Sequence, residues 1–119
     1  ADALNNGTSC HVQLFDQSDT SSLKASMQAS SLFINGTSVG MAPNTNQSII
    51  TDLSLFHPEL TVADVIYNPR ETRLLKEAKQ VGCRTYNGMY MLLYQGAEGF
   101  KLWTGQEMPI EHIKESFFK

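Results

Sequence analysis

Apolar and polar positions change rhythm along the chain, and these changes predict alternating strands and helices. Apolar residues alternate with polar ones over residues 10–16, which predicts a strand. Short continuous apolar runs at residues 31–35 and 61–67 are typical of strands buried in a parallel sheet, and a last short strand is predicted at residues 83–86. Helices are predicted at residues 1–5, 23–30, 48–56, 74–81, 88–103 and 110–118.

Strand and helix alternate almost throughout, which indicates an α/β layer with a mostly parallel sheet. In such a sheet the ligand crevice lies outside the carboxyl ends of the strands. Three segments follow predicted strands, at residues 36–41, 67–69 and 87–91. Because all three would line the same edge of the sheet, the sequence predicts a binding cleft there.

Composition and charge exclude several classes of function. The chain of 119 residues is 41% hydrophobic, which is enough for a core, and its net charge is -3. The nine Lys and Arg residues are scattered, so there is no basic stripe for a nucleic acid. No apolar run approaches the roughly 20 residues that span a bilayer, and no secretory signal is visible. We therefore expect a cytoplasmic protein that binds neither nucleic acid nor membrane.

Cysteine and histidine are too sparse to predict a metal site. Cys10 and Cys83 lack the paired spacing of zinc ligands, which favours two reduced thiols. His11, His57 and His112 have no ligand-type neighbours at metal-site spacings. No metal is expected.

Two strand-end segments carry candidate binding residues. Gly36 and Gly40 allow close backbone approach, and Thr37 and Ser38 offer hydroxyls to a polar ligand. Tyr67 ends a buried strand, where its ring can pack while its hydroxyl reaches the cleft. Each has a structural interpretation as well, because strand ends often carry Gly and Ser simply to turn, and a strand-end tyrosine can hydrogen-bond to a loop.

The helix predicted from residue 88 carries a third candidate group. Gly88, Met91 and Gln95 fall at i, i+3 and i+7 and so share one face, beginning at a helix N-terminus that favours polar or anionic groups. Gln95 can hydrogen-bond to a hydroxylated ligand, although a helical glutamine is commonly just solvated. The chain has no Gly-x-Gly-x-x-Gly turn and no visible proton-transfer pair or nucleophile arrangement. Its own chemistry thus predicts a ligand-lining module without a catalytic centre.

Taken together, these segments resemble the shikimate dehydrogenase family. The family pattern Asn-x-Thr-Ser-x-Gly-Met matches residues 35–41, and Asp-x-x-Tyr-x-Pro matches residues 64–69, with Thr72 and an apolar pair behind it. Gly-x-x-Met-Leu-x-x-Gln-Gly-Ala matches residues 88–97, and the tail at residues 100–109 is also similar. The resemblance runs from about residue 1 to residue 117, and the three motifs at these spacings are specific.

The resemblance implies an oxidoreductase that reduces 3-dehydroshikimate to shikimate with NADPH, in the chorismate pathway of aromatic amino-acid biosynthesis. In the related branch the substrate is quinate and the cofactor is NAD. Tyr67 and Gln95 would contact the hydroxyl and carboxylate side of the substrate. The nicotinamide end of the cofactor would be lined by Thr37, Ser38, Val65, Gly88 and Met91.

The family has an N-terminal substrate domain that carries the catalytic Lys and Asp, followed by a Rossmann-type cofactor domain. Residues 1–119 would then be the C-terminal part of the NAD(P)-binding domain: a doubly wound, mostly parallel sheet without its first strands. Helices at about residues 88–118 would close it and return towards the absent substrate domain. No catalytic residue is expected in this chain, which alone should be inactive.

A strand order of 3-2-1-4-5-6 assigns residues 10–16 to the third position and the later strands to the fourth, fifth and sixth. The strand at residues 31–35 would then form an open edge, so we expect the chain to associate with itself or to repair the sheet in a non-native order.

Two interpretations remain open at this stage. The chain is part of a shikimate or quinate/shikimate dehydrogenase, or it is a stand-alone α/β ligand-binding or regulatory module without catalysis. Tyr90 stands where the family usually has glycine, and its side chain is expected to hinder a tight backbone approach to the nicotinamide. The choices between NADP and NAD, and between shikimate and quinate, are open as well.

Overall fold

The computed structural model describes residues 1–118, and the chain divides into two compact units. The first unit is Ala1–Ser30, and the second begins at Ser31. Each is built around its own short elements, and the candidate site lies in the second.

The first unit contains two helices, α1 (Asp2–Gly7) and α2 (Thr20–Ala29). Asp19 begins α2 as its N-cap, accepting a hydrogen bond from the backbone N–H of Ser22. Both helices lie close to their predicted positions.

The prediction of a strand at residues 10–16 is wrong, because this segment has no regular secondary structure. A strand needs a neighbour to satisfy its backbone, and here a side chain takes that place. The Asn5 carboxamide donates to the carbonyl of Val12 (2.9 Å) and accepts from the N–H of Val12 (2.6 Å). The alternating apolar pattern was therefore a misleading signal.

The second unit is organised on a parallel sheet of three strands, β1 (Leu32–Asn35), β2 (Thr61–Asp64) and β3 (Arg84–Tyr86). The order is β1-β2-β3, with Asn35 opposite Asp64 in the register. This mixed architecture, with helices and a small parallel sheet, confirms the predicted α/β class.

One helix, α3 (Arg73–Val81), connects β2 to β3 and packs on the sheet. The Thr72 hydroxyl caps its start, and Gly82 ends it in the left-handed conformation with φ 98°, as the sequence predicted. Its buried face consists of Leu74, Leu75 and Ala78. The core of this unit is therefore the sheet face that carries Val62, covered by α3.

The helix predicted at residues 48–56 is also wrong, since only one 3-10 turn forms, at Leu53–Leu55. The run Ile49-Ile50-Thr51 is β-branched and has low helix propensity. Apolar residues of this segment nevertheless reach the core, because Ile50, Leu55 and Phe56 are buried. In this segment the apolar residues are buried without helical periodicity.

Two helices complete the described chain, α4 (Met89–Thr104) and α5 (Ile110–Phe117). Gly105, in the left-handed conformation with φ 70°, ends α4. Large apolar side chains are left in the open near the helix ends: Leu102 is 83% exposed and Trp103 is 86% exposed. The end of α4 is thus apolar without being covered within residues 1–118.

Strand β1 lies at one edge of the sheet, as predicted for the strand that follows the gap in the order. Its Leu32 and Ile34 side chains are 51% and 56% exposed. An unpaired, apolar edge is therefore present on the described part of the chain.

Candidate functional site

A cleft of about 360 Å³ lies at the carboxyl ends of β1 and β2. We call it the strand-end cleft, and define it by the two loops that form its rims. Its lining residues are Thr37, Ser38, Met41, Ala42, Val65, Ile66, Tyr67 and Asn68. A cleft at this edge of the sheet is where parallel α/β sheets bind their ligands. Two of the three segments predicted to line it do so, and residues 87–91 are not among its lining residues.

The first rim follows β1 and is held by the side chain of Asn35. The Asn35 amide oxygen accepts from the N–H of Thr37 (3.0 Å) and from its hydroxyl (2.7 Å). The Thr37 hydroxyl in turn accepts from the N–H of Val39 (3.2 Å). Thr37 is therefore engaged in shaping its own loop, whereas the Ser38 hydroxyl has no hydrogen-bond partner among residues 1–118 and is available to a ligand.

Gly40 completes the first rim in a conformation that requires glycine. Its φ is 95°, and a Cβ there would lie 3.0 Å from the backbone oxygen of Gln47. Any other residue here would have a strained backbone, and its Cβ would crowd the Gln47 oxygen. Gly40 therefore has a structural reason to be glycine, as the alternative interpretation of the sequence allowed.

The second rim follows β2 and runs through Val65, Ile66 and Tyr67. The N–H of Val65 donates to the carbonyl of Asn35 (3.1 Å), so this rim starts bonded to the end of β1. At the far side, the N–H of Ala42 donates to the carbonyl of Asn68 (3.2 Å) and joins the two rims. Tyr67 lines the cleft and is half exposed.

Three buried polar side chains lie beneath the rims: Asn35, Asp64 and Thr72, which are 1%, 3% and 1% exposed. We call them the buried polar network. The Asp64 carboxylate accepts from the Asn35 amide (3.2 Å), the N–H of Ile66 (3.0 Å) and the Thr72 hydroxyl (2.7 Å). Three donors satisfy a charge that would otherwise be costly to bury.

Gly88 stands against the second rim. Its N–H donates to the carbonyl of Ile66 (2.9 Å), and a Cβ built on it would lie 2.0 Å from the backbone oxygen of Val65. No side chain fits at such a distance, so glycine is required for α4 to begin here. This contact brings the start of α4 next to Val65, another predicted site residue.

The other two predicted residues of α4 are not among those that line the strand-end cleft. Met91 and Gln95 are exposed, and neither lines the cleft within the described residues. The structure therefore brings Thr37, Ser38, Val65 and Tyr67 together, places Gly88 beside them, and leaves Met91 and Gln95 further along the same helix.

Tyr90 does not obstruct the strand-end cleft. Its ring stacks on Tyr94 with 6.2 Å between centroids and lies 5.7 Å from Phe118, while the ammonium of Lys114 sits 5.7 Å from its centroid. These contacts tie the first turns of α4 to α5. Tyr90 is thus engaged with Tyr94 and α5 and is not among the residues that line the strand-end cleft.

Among residues 1–118, neither a reactive thiol at Cys83 nor a metal site is found. Burial raises the pKa of the Cys83 thiol, whose Sγ donates to the carbonyl of His57 (3.3 Å), so this cysteine is a poor nucleophile. Within residues 1–118, no group of three or more His, Cys, Asp or Glu residues could hold a metal ion. No helix in the described part of the chain is long and apolar enough to cross a membrane.

Asn35, Asp64 and Thr72, which form the buried polar network, were not among the site residues predicted from the sequence. All three stood in the quoted motifs, but none was assigned a role. A polar residue inside or directly behind an apolar strand run was the available signal, because such a residue is buried and must find partners. Met41 also lines the cleft and was noted only as part of a motif.

Comparison with known proteins identifies relatives of the whole chain. Residues 88–116 match the family model of the shikimate 5'-dehydrogenase C-terminal domain. Quinate/shikimate dehydrogenase of Escherichia coli is 44% identical over 115 residues, which cover 97% of this chain and 40% of that protein.

Solved structures give the same result. Shikimate 5-dehydrogenase from Listeria monocytogenes, in complex with shikimate and NAD, aligns with a TM-score of 0.85 at 44% identity, over 93% of this chain and 38% of that one. A shikimate dehydrogenase in complex with NADP+ aligns with a TM-score of 0.71 at 45% identity, over 78% of this chain and 32% of that one. The chain thus spans about 40% of the length of the curated relatives it matches. The resemblance seen in the sequence is confirmed, and it concerns the C-terminal portion of these enzymes.

Proposed function

We propose that this chain, which is homologous to the C-terminal portion of the shikimate dehydrogenases, forms part of the cofactor domain of an NAD(P)-dependent oxidoreductase. The reaction is the reduction of 3-dehydroshikimate to shikimate, or the corresponding reaction of quinate. The observation that carries the proposal is the strand-end cleft, whose rims consist of the segments that match the family motifs. The pathway is then aromatic amino-acid biosynthesis; the cytoplasmic location stays a prediction from the sequence.

The strand-end cleft suits the nicotinamide end of NADP or NAD. Its volume of about 360 Å³ admits a planar ring, with apolar surface from Val65 and Ile66 on one rim and the Ser38 hydroxyl on the other. The bound nicotinamide would supply hydride exchange with the substrate. Thr37, Ser38 and Val65 would hold the ring, Gly88 would let the start of α4 approach it, and Met91 would cover it from the next turn.

Tyr67 and Gln95 are assigned to the substrate. Tyr67 lines the cleft itself, so its hydroxyl can meet a ligand next to the nicotinamide position. Gln95 lies seven residues after Gly88 on one continuous helix, which corresponds to about 10 Å along the axis. A substrate that touches both residues would extend from the cleft along α4, and its hydroxyl and carboxylate groups would match a phenol and a carboxamide.

The groups that transfer the proton are expected outside residues 1–119, in a substrate domain that α4 and α5 approach. The exposed Leu102 and Trp103 at the end of α4 support this arrangement, because an uncovered apolar patch on a helix marks a contact with another part of a protein. The chain alone is therefore expected to be inactive.

A chimera tests the proposed function. The C-terminal 40% of the Escherichia coli quinate/shikimate dehydrogenase is replaced by this chain, which matches that portion at 44% identity. Shikimate and quinate are each offered with NADP and with NAD, and the isolated chain is assayed in parallel. We expect turnover by the chimera and none by the chain, and the preferred pair settles substrate and cofactor.

Folding and activity are separated by a thermal melt of the same chimera. A folded chimera that turns over neither substrate with either cofactor would contradict the enzyme assignment. The chain would then be a ligand-binding module that kept the fold without the chemistry. The parental Escherichia coli enzyme serves as the control for the assay.

Self-association of the isolated chain is a separate proposal. Leu32 and Ile34 are exposed on β1 at the edge of the sheet, and open apolar edges pair with other chains. Light scattering after size exclusion should show a species larger than a monomer, and Ile34→Lys should return it to a monomer. A monomeric unmodified chain at about 100 μM would contradict self-association.

A further inference from the structure

We propose that Asp64 is a positioning residue that sets the gap between the two rims of the strand-end cleft. The kinetic part of this proposal rests on the proposed function, because a change in the gap alters kcat only if the protein is an enzyme. The geometric part concerns the chain itself and can be decided without any ligand.

The first step of the argument is that one carboxylate oxygen touches both rims. Asp64 Oδ1 accepts from the amide of Asn35 and from the N–H of Ile66. Ile66 belongs to the second rim, and Asn35 holds the first. A shift of this single oxygen therefore moves both sides of the cleft.

The second step is the path from Asn35 to Ser38. With its Nδ2 donating to Asp64 (3.2 Å) and to the carbonyl of Val39 (3.3 Å), the Asn35 carboxamide can present only its oxygen to Thr37. That oxygen fixes the N–H and the hydroxyl of Thr37, the residue directly before Ser38. Asp64 thus orients the amide that orients the first rim.

The third step concerns the other carboxylate oxygen. Asp64 Oδ2 accepts from the Thr72 hydroxyl at 2.7 Å, and Thr72 is the residue that caps α3. The carboxylate is therefore held against rotation by the start of a helix whose inner face is buried. A rigid anchor is needed if Oδ1 is to define a distance rather than follow the loops.

The residue type fits this role. Oδ1 must accept two donors and Oδ2 a third, so the position needs an acceptor on both branches. Asparagine is isosteric but presents an NH2 group on one branch. Asp64→Asn therefore breaks at least one of the three hydrogen bonds while keeping the volume, and it is the informative substitution.

Amide hydrogen exchange on this chain tests the geometry. In Asp64→Asn we expect exchange at Thr37, Val39 and Ile66 to become at least about tenfold faster, with little change at Leu93 and Ala97 in the middle of α4. Asp52→Asn is the control, because it makes the same change at an exposed N-cap that does not line the cleft. Unchanged exchange at the three rim residues would overturn the proposal.

Kinetics of the chimera test the consequence. At a temperature where each variant is fully folded, Asp64→Asn should lower kcat about tenfold through misplaced rims. Leu74→Ala is the matched control for stability: it removes a buried side chain away from the cleft and should leave kcat within about twofold when folded. Equal kcat values for Asp64→Asn and the unmodified chimera would sink the positioning role, whatever the loss of thermal stability.

Two further outcomes are distinguishable. If the unmodified chimera is inactive, the proposed function fails, and hydrogen exchange alone decides whether Asp64 sets the gap. If Asp64→Asn does not fold, Thr72→Val takes its place, since it removes the anchor of Oδ2 and leaves both contacts of Oδ1. We then expect a smaller acceleration of exchange at the same rim residues. If exchange at these residues is not accelerated at all, the proposal is overturned.

Discussion

The carboxyl ends of β1 and β2 and the helix α4 both carry residues of the candidate site, but the chain holds them in different ways. At the strand ends, Asn35 and Asp64 are buried and bonded to the loops that they shape. On α4, Met91 and Gln95 are exposed, and so are Leu102 and Trp103 at its end. The strand-end residues are held by contacts within the chain, whereas α4 presents exposed side chains that could contact a ligand or another part of a protein.

This difference separates two kinds of functional residue. A strand-end residue is oriented by hydrogen bonds to neighbours that are themselves buried, so its geometry is a property of this chain. An exposed residue on α4, such as Gln95, is oriented by the phase of the helix, and its contacts depend on what approaches that face. Substitutions at the buried strand-end residues should therefore act on stability as well as on activity, whereas those at exposed positions of α4 should act on activity with little loss of stability.

The largest expected effect comes from Gly88, where the two regions meet. Gly88→Ala would put a Cβ about 2 Å from the Val65 oxygen, so the start of α4 must move away from the second rim. We expect the free energy of unfolding in urea to fall by about 4 kcal/mol or more.

Gly96→Ala is the matched control for this change. A Cβ at Gly96 meets nothing within 4 Å, and the position is inside α4. Alanine should therefore stabilise the chain by about 0.5–1 kcal/mol. If both substitutions had the same sign, the close approach at Gly88 would be refuted.

The next effect compares a leucine from each region. Leu74 is 1% exposed on α3, and Leu74→Ala should cost about 3 kcal/mol in urea unfolding. Leu102→Ala, at the open end of α4, should change stability by less than about 0.5 kcal/mol. A comparable loss from Leu102→Ala would break the comparison, because it would mean that the end of α4 is already covered.

A third test measures activity in the chimera at one residue from each region. Gln95→Ala and Tyr67→Phe each remove one polar contact with the substrate, so kcat/KM should fall about tenfold to a hundredfold, or about 1.4–2.7 kcal/mol. Gln106→Ala and Tyr86→Phe are the controls, since both residues are exposed and neither lines the cleft. An equal loss in the controls would argue against the substrate assignment.

The smallest expected effect concerns Asp19, the N-cap of α2 in the first unit. Hydrogen bonds from the side chain and backbone of Ser22, and from the Ser21 hydroxyl, lower the pKa of Asp19 from 3.8 to about 2. The charged N-cap is thus fully effective above about pH 4 and is lost as the pH falls through about 2. The Ser22 amide resonance should move with a midpoint near pH 2, and Asp19→Asn should abolish this titration while keeping the cap. A midpoint near 4 would show that the carboxylate does not cap α2.

Much of this organisation could be predicted from the sequence. The helix around residues 74–81 was recognisable from its periodicity and from Gly82, and parallel strands from the apolar runs before residues 36 and 65. The failures at residues 10–16 and 48–56 have different causes, because the apolar residues of the first segment are largely exposed, whereas Ile50, Leu55 and Phe56 of the second are buried without forming a helix. Asn5 in one case, and β-branched residues in the other, decided the outcome.

The candidate site was predictable only in part. The loop at Thr37 and Ser38 and the tyrosine at residue 67 were found because they follow strands in a known order. The role of Asp64 was not accessible, because it depends on three donors from residues 35, 66 and 72 meeting at one carboxylate. Such a convergence is a property of the folded chain, and no local spacing encodes it.

The double hydrogen bond between Asn5 and Val12 has a consequence for handling this protein. The carboxamide imitates one peptide group of a neighbouring strand, so it occupies the backbone of Val12 without building a sheet. Leu14 and Phe15, which follow it, are exposed apolar residues. Removing the carboxamide, as in Asn5→Ala, would release a segment that can nucleate cross-β aggregates. The variant should therefore aggregate faster during storage than the unmodified chain.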